Sequence, residues 1–140
     1  MDIIFRDDIV PHANVIAELY DNAGLPRPTH DKERIKRMFE NSDVVITAWD
    51  NDSLVGVSRT LSDFCWCSYL ADLAVRQDVK AKGIGKKLIE LTKEKVGKQS
   101  MILLLSVPDA MEYYPKVGFE KVDYGFIIHR TEQVIYPKSD

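Results

Sequence analysis

No run of about 18 apolar residues occurs in the 140-residue sequence, so it offers no membrane-spanning helix. The start, MDIIFRDDIV, is acidic and lacks the basic segment and small-residue cleavage site of a signal peptide, which speaks against secretion. Cysteine is scarce. Cys65 and Cys67 are the only two, and at a spacing of two they frame no useful disulfide loop. Two thiols also under-fill a tetrahedral zinc shell, so no metal is expected. A cysteine nucleophile wants a neighbouring histidine, and His12, His30 and His129 fall in the first helix region, a loop and the last strand. The cysteines are therefore read as reduced, buried small hydrophobes in a cytoplasmic protein. Excess positive charge is missing too. The formal net charge is -3 and the pI about 5.6, against a general nucleic-acid binder. Repeats, low-complexity tracts and linkers are absent.

What is present is a chain 45% hydrophobic and 29% charged, long enough for one domain over residues 1–140 with its own core. DIIFR reads as a first strand. Ile16, Leu19, Tyr20 and Ala23 recur at i, i+3, i+4 and i+7, an amphipathic helix over 11–23 stopped by Gly24 and Pro26. Thr29 or Asp31 caps a second helix carrying Ile35, Met38 and Phe39 inward. VVITAW (44–49), the turn DNDS and LVGVSRTL read as a hairpin, followed by a third strand from about Cys65 to Val75. A helix from about Gly83 to Gly97 presents Ile84, Leu88 and Leu91. MILLLSV (101–107) reads as a strand buried on both faces. Pro108 opens a further helix ending at Gly118, and FEKVD with FIIHR forms a closing antiparallel pair. The order β-α-α-β-β-β-α-β-α-β-β is that of an α/β or α+β domain, a mixed sheet flanked by helices. The aromatics Trp49, Phe64, Trp66 and Tyr20 are read as core.

One stretch resists a purely structural account. VKAKGIGKKL (79–88) gathers Lys80, Lys82, Lys86 and Lys87 around Gly83 and Gly85, where a helical pattern starts. Open N–H groups and the helix dipole favour an anion there, and glycine lets it approach the backbone. A Walker A loop would need Gly at 80 and Ser or Thr at 87, and both are Lys. A dinucleotide fingerprint would need a third glycine at 88, which is Leu. Taken alone, the stretch fits a charged, solvated turn as well as a phosphate cradle.

Its surroundings separate the two. YLADLAVRQDVKAKGIGKKLIELT resembles the acyl-CoA-binding signature of the GNAT superfamily of N-acetyltransferases. In that family a loop of the form Arg/Gln-x-x-Gly-x-Gly/Ala opens a helix and cradles the CoA pyrophosphate; here it maps onto Lys80-Ala81-Lys82-Gly83-Ile84-Gly85. AMEYYPKVGFEKV (110–122) resembles the family's closing Ala…Tyr-x-x-x-Gly-Phe segment. The specific resemblance covers about residues 69 to 122. Lys80 stands where the family usually has Arg or Gln, Gln77 where it often has proline, and Val107-Pro108 where it often has asparagine.

The resemblance implies a fold with a mostly antiparallel sheet and direct transfer of an acetyl group from acetyl-CoA, as cosubstrate, to a primary amine of a small molecule or peptide. It implies CoA contacts along Leu73, Ala74 and Val75 and at Lys80, Ala81, Lys82, Gly83, Ile84, Gly85 and Lys86. Tyr114 matches the family's tyrosine, which protonates the departing thiolate. Asp72, the one acid in the strand CWCSYLADLAV, is the candidate base, with a structural role as its counterpart reading. Ideal alternation sets Asp72 on the face of Leu70 and Ala74, unless a bulge changes the register. The loop GLPRPTHD (24–31) lies where relatives cover the acceptor, and dimers are common among them. A non-catalytic acyl-CoA-binding module on the same fold is the alternative. Neither nucleic acid nor membrane is expected as partner.

Overall fold

The computed structural model describes residues 2–132. The chain divides after Leu104 into two compact units. In the first, β1 (Ile3–Arg6), α1 (Ala13–Ala23), α2 (Lys32–Glu40), β2 (Val44–Asp50), β3 (Ser53–Ser62) and β4 (Cys67–Val75) follow in order. A 3-10 helix (Gln77–Lys82), α3 (Ile84–Val96) and β5 (Met101–Leu103) complete it. The sheet runs β1-β2-β3-β4-β5, antiparallel throughout except for the parallel pair β4 and β5. This is the expected mixed, mostly antiparallel sheet flanked by helices.

Local chemistry sets the boundaries. The His12 ring nitrogen caps α1 by accepting the Asn14 N–H, and Gly24 closes the helix. Asp31, rather than Thr29, caps α2 by accepting the Arg34 N–H at 3.1 Å. The two faces of the sheet carry separate cores. Ile16, Leu19, Tyr20, Ile35 and Phe39 from α1 and α2 pack with Val57 and Ala74, while Ile84, Leu88 and Val96 of α3 pack with Ile46, Val55 and Val75.

Gly56 lets α3 come this close. A Cβ built there would sit 3.1 Å from Cγ2 of Ile84 and 3.2 Å from Cδ1 of Leu88, both side chains fully buried. Gly56→Ala is expected to cost about 1–3 kcal/mol by overpacking. A urea midpoint equal to that of the parent protein would show that α3 accommodates the methyl group freely.

A bulge in β4 shifts the register: Arg59 pairs with Asp72 but Thr60 pairs with Leu70, leaving Ala71 as the extra residue. Adjacent residues of β3 face opposite sides, so Leu70 and Asp72 also do, contrary to ideal alternation. Asp72 and Ala74 face α1 and α2; Leu73 and Val75 face α3.

Several expectations fail. MILLLSV forms a strand only over Met101–Leu103, and Met101 and Leu103 are exposed rather than buried on both faces. The strand runs beside β4 only through Tyr69, and no ladder extends it afterwards. Cys65 lies in the hairpin before β4, and both cysteines are exposed. Phe64 and Trp66 share that hairpin tip and are exposed as well. The tip is ordered by Asp63, whose Oδ1 accepts the N–H groups of Cys65, Trp66 and Cys67 at 2.9, 2.8 and 3.1 Å. Such a turn leaves its side chains no core to enter.

The second unit holds a 3-10 turn (Pro108–Ala110) and α4 (Tyr113–Lys116) in place of one long helix. Pro115 removes an N–H and its ring blocks the carbonyl one turn earlier, which breaks a continuous helix at this point. The expected closing pair, FEKVD with FIIHR, is not formed; among the described residues no strand follows α4. Alternation specifies a face but not a partner, and a lone hairpin is marginal in water.

Candidate active site

Three features of the first unit involve residues that the sequence singled out. The first is a strand edge. The Arg76 N–H donates to the Val55 carbonyl at 2.9 Å, so this end of β4 turns the backbone groups of residues 76, 74 and 72 toward β3. Leu73 and Val75 therefore turn theirs to the opposite edge. There β5 has already ended, its last residue Leu103 standing beside Tyr69. Among the described residues no strand pairs there, so the N–H and C=O groups of Leu73 and Val75 line an open edge. Ala74, grouped with them in the sequence, faces β3 with its backbone and the α1 core with its side chain.

The second is the helix start. Gly83 sits at φ 74°, ψ 14°, a left-handed conformation costly for any residue with a side chain, and no side chain caps α3. The first bond of the helix runs from the Lys87 N–H to the Gly83 carbonyl at 3.1 Å. The N–H groups of Ile84, Gly85 and Lys86 consequently open outward with the positive end of the helix dipole. Nothing lies within 4 Å of where a Gly83 Cβ would stand. Lys80, Ala81, Lys82 and Lys86 are exposed around it, while Ile84 and Gly85 are buried and seat the helix. Gln77, in the position of the family's proline, anchors the turn to the end of α1. Its N–H donates to Asn22 Oδ1 at 3.0 Å and its side-chain amide to the Ala23 carbonyl at 3.3 Å. Arg76 adds an ion pair with Glu18 at 2.9 Å.

The third is Asp72, whose carboxylate is wholly buried. Tyr20 donates its hydroxyl to Oδ2 at 2.8 Å, Arg59 its Nε to the same oxygen at 2.6 Å, and Arg27 its Nε to Oδ1 at 2.6 Å. Burial opposes ionisation, but the hydrogen bonds and charges of Arg59 and Arg27 outweigh it and hold the carboxyl below its ordinary value. Burial and the Asp72 charge push the Tyr20 phenol well above its own. Arg59 also lies over the Phe39 ring, 5.7 Å from its centroid.

In the second unit, Tyr114 packs edge-on against Phe119, with ring centroids 5.6 Å apart, and against Tyr113 at 5.3 Å. The Phe119 N–H donates to the Tyr114 carbonyl at 3.0 Å. The Tyr-x-x-x-Gly-Phe segment is thus a local unit, its first and last residues in contact.

The reading of a cysteine nucleophile loses ground. The Asp63 charge raises the Cys67 thiol pKa, the wrong direction for a nucleophile. Among the described residues no group of three or more His, Cys, Asp or Glu could hold a metal ion, and no helix is long and apolar enough to cross a membrane.

Sequence reasoning missed Arg27, Arg59 and Gly56, and it read Tyr20 as core, which it is, without the bond to Asp72. For Arg59 a signal existed, since a lone cation in the apolar strand LVGVSRTL implies a buried acid opposite. Arg27, in a polar loop, gave none.

The mixed, mostly antiparallel sheet flanked by helices, with an uncapped helix start after β4, places the chain among α/β proteins. The chain belongs to the family described as the acetyltransferase (GNAT) domain, whose model matches residues 16–129. It is 28% identical over 113 residues to the uncharacterized N-acetyltransferase ycf52 of Pyropia yezoensis, and 30% identical to that of Porphyra purpurea. Each match covers 76% of this chain and 63% of the relative, so the chain spans less than two thirds of those proteins. In fold it is similar to a probable acetyltransferase of meticillin-resistant Staphylococcus aureus (TM-score 0.79, 23% identity, covering 92% of this chain and 100% of that one). It is also similar to a GNAT-family acetyltransferase of Streptococcus pneumoniae TIGR4 (TM-score 0.73, 22% identity, covering 94% and 100%). At these identities the likeness is one of fold.

Proposed function

We propose that the chain is an acetyl-CoA-dependent N-acetyltransferase acting on a primary amine of a small molecule or peptide. The observation that carries this reading is the open edge at Leu73 and Val75 leading toward the uncapped start of α3. An extended thioester arm ending in a pyrophosphate suits that pair of features. In this reading the N–H groups of Ile84, Gly85 and Lys86 hold the pyrophosphate, with Lys80 and Lys82 adding charge. Lys80 pairs as a point charge, without the two-pronged geometry of arginine. Leu73 and Val75 bind the arm through their backbone, and the Leu73 N–H steadies the oxygen as the carbonyl becomes tetrahedral.

The amine must be neutral to attack. Its nitrogen forms the new C–N bond, the C–S bond breaks, and the sulfur leaves as a thiolate that Tyr114 protonates. Asp72 is not the base in this scheme. Three donors already engage its carboxylate, and its lowered pKa makes it a poor proton acceptor, so we assign it to holding β4 and leave the amine's proton to water. Family matching through both units, from residue 16 to 129, supports a single acetyltransferase domain.

Gly83→Val is the direct test of the cradle. Forcing a β-branched residue into the left-handed region costs at least about 1–2 kcal/mol, and its side chain occupies the approach of the phosphates. Titration calorimetry with acetyl-CoA should give an affinity at least about tenfold weaker, equivalent to 1.4 kcal/mol. Unchanged affinity in the folded variant would remove the helix start from the binding site. Acetyl-CoA binding by the parent protein without thiol release across a panel of primary amines would favour the non-catalytic acyl-CoA-binding module.

A further inference from the structure

Arg27 makes three contacts that no single other side chain could reproduce. Its Nε donates to Asp72 Oδ1 at 2.6 Å, its Nη2 to the Ala71 carbonyl at 2.8 Å, and its Nη1 to the Pro26 carbonyl at 2.7 Å. Ala71 is the bulge residue of β4, and Asp72 is the residue after it. One planar cation therefore grips the bulge by its carbonyl and by the next side chain, while its own backbone belongs to the loop between α1 and α2. The bulge matters because it sets the phase of the strand. Directly beyond it, the backbone of Leu73 turns to the open edge.

We propose that Arg27 is a positioning residue that fixes the β4 bulge and thereby the direction of the Leu73 N–H on the open edge. The inference rests on the acetyltransferase reading only for what the Leu73 N–H is used for; the grip itself is independent of it. A bulge residue is by construction outside the regular ladder, so its peptide planes can rotate if nothing else binds them. Arg59 and Tyr20 hold the Asp72 side chain from other directions, but neither bonds the Ala71 carbonyl. Lysine would keep the charge and the pairing with Asp72, yet a single ammonium has no rigid fork to span the carboxylate and the carbonyl together.

Arg27→Lys, with Arg27→Gln as a second variant should the first fail to fold, is compared with the parent protein by two-dimensional amide NMR and acetyl-CoA titration. The Leu73 amide should move in the unliganded variant. Its response to acetyl-CoA should shrink to half or less, while the dissociation constant stays within about twofold because the helix start is a separate contact. A purely structural role would lower the melting temperature and leave the Leu73 amide in place, and that result overturns the proposal. If the parent protein shows no acetyl-CoA response at Ile84, Gly85 or Lys86, the acetyltransferase reading fails instead. The unliganded Leu73 comparison then still decides the role of Arg27.

Discussion

Asp72→Ala should destabilise the protein by about 3–5 kcal/mol, the cost of removing one partner from a buried ion pair. Arg59 is nearly buried, Arg27 about three-quarters buried and Tyr20 fully so, and all three lose the carboxylate at once. Against a total stability of about 5–15 kcal/mol for a domain, such a loss brings the chain close to unfolding. Urea denaturation of the variant checks it; a loss below 1 kcal/mol would mean that water replaces the carboxylate. The same network dictates an acid limb. Because the folded pKa of Asp72 lies below its unfolded value of about 4, its contribution is fully present above that pH. It drains away as the pH falls through the lower, folded pKa. Asp72→Asn should flatten this part of the stability profile.

Tyr114→Phe should lower kcat by about 100- to 1000-fold while leaving acetyl-CoA affinity unchanged, the signature of a lost proton donor. The ring contacts with Tyr113 and Phe119 survive this substitution, since each uses the aromatic face or edge rather than the hydroxyl. Wild-type kcat in the variant would reduce Tyr114 to a packing residue, and the thiolate would then leave unassisted.

What the sequence made legible was whatever is encoded locally. The helix over Ile16 to Ala23, the hairpin around Asn51 and the glycine-lysine turn each carry their signal within a few residues, and the structure places them as read. The Asp72 network was not legible because its members lie in α1, a loop, β3 and β4, up to 52 residues apart in the chain. Only the fold brings them together. The exposed Trp66 and the short β5 were misread for a related reason. Apolar character predicts burial on average, but a hairpin tip held by Asp63 and a strand that loses its neighbour after Tyr69 are decided by geometry. Gly56 carried no local signal of its role, since nothing in LVGVSRTL reveals that α3, packed across that face of the sheet, needs the space.

The end of α1 and the loop beyond it hold two separate parts of the first unit. Asn22 and Ala23 secure Gln77 ahead of the lysine turn, and Arg27, a few residues further on, grips the bulge of β4. Surface loops ordinarily tolerate changes in length. This one is a measured span between two fixtures: an added residue between Ala23 and Arg27 would leave both fixtures intact and set them at the wrong distance. Variation among functional versions of this chain should therefore respect the length of the segment Ala23–Arg27 as strictly as the identity of the arginine that ends it.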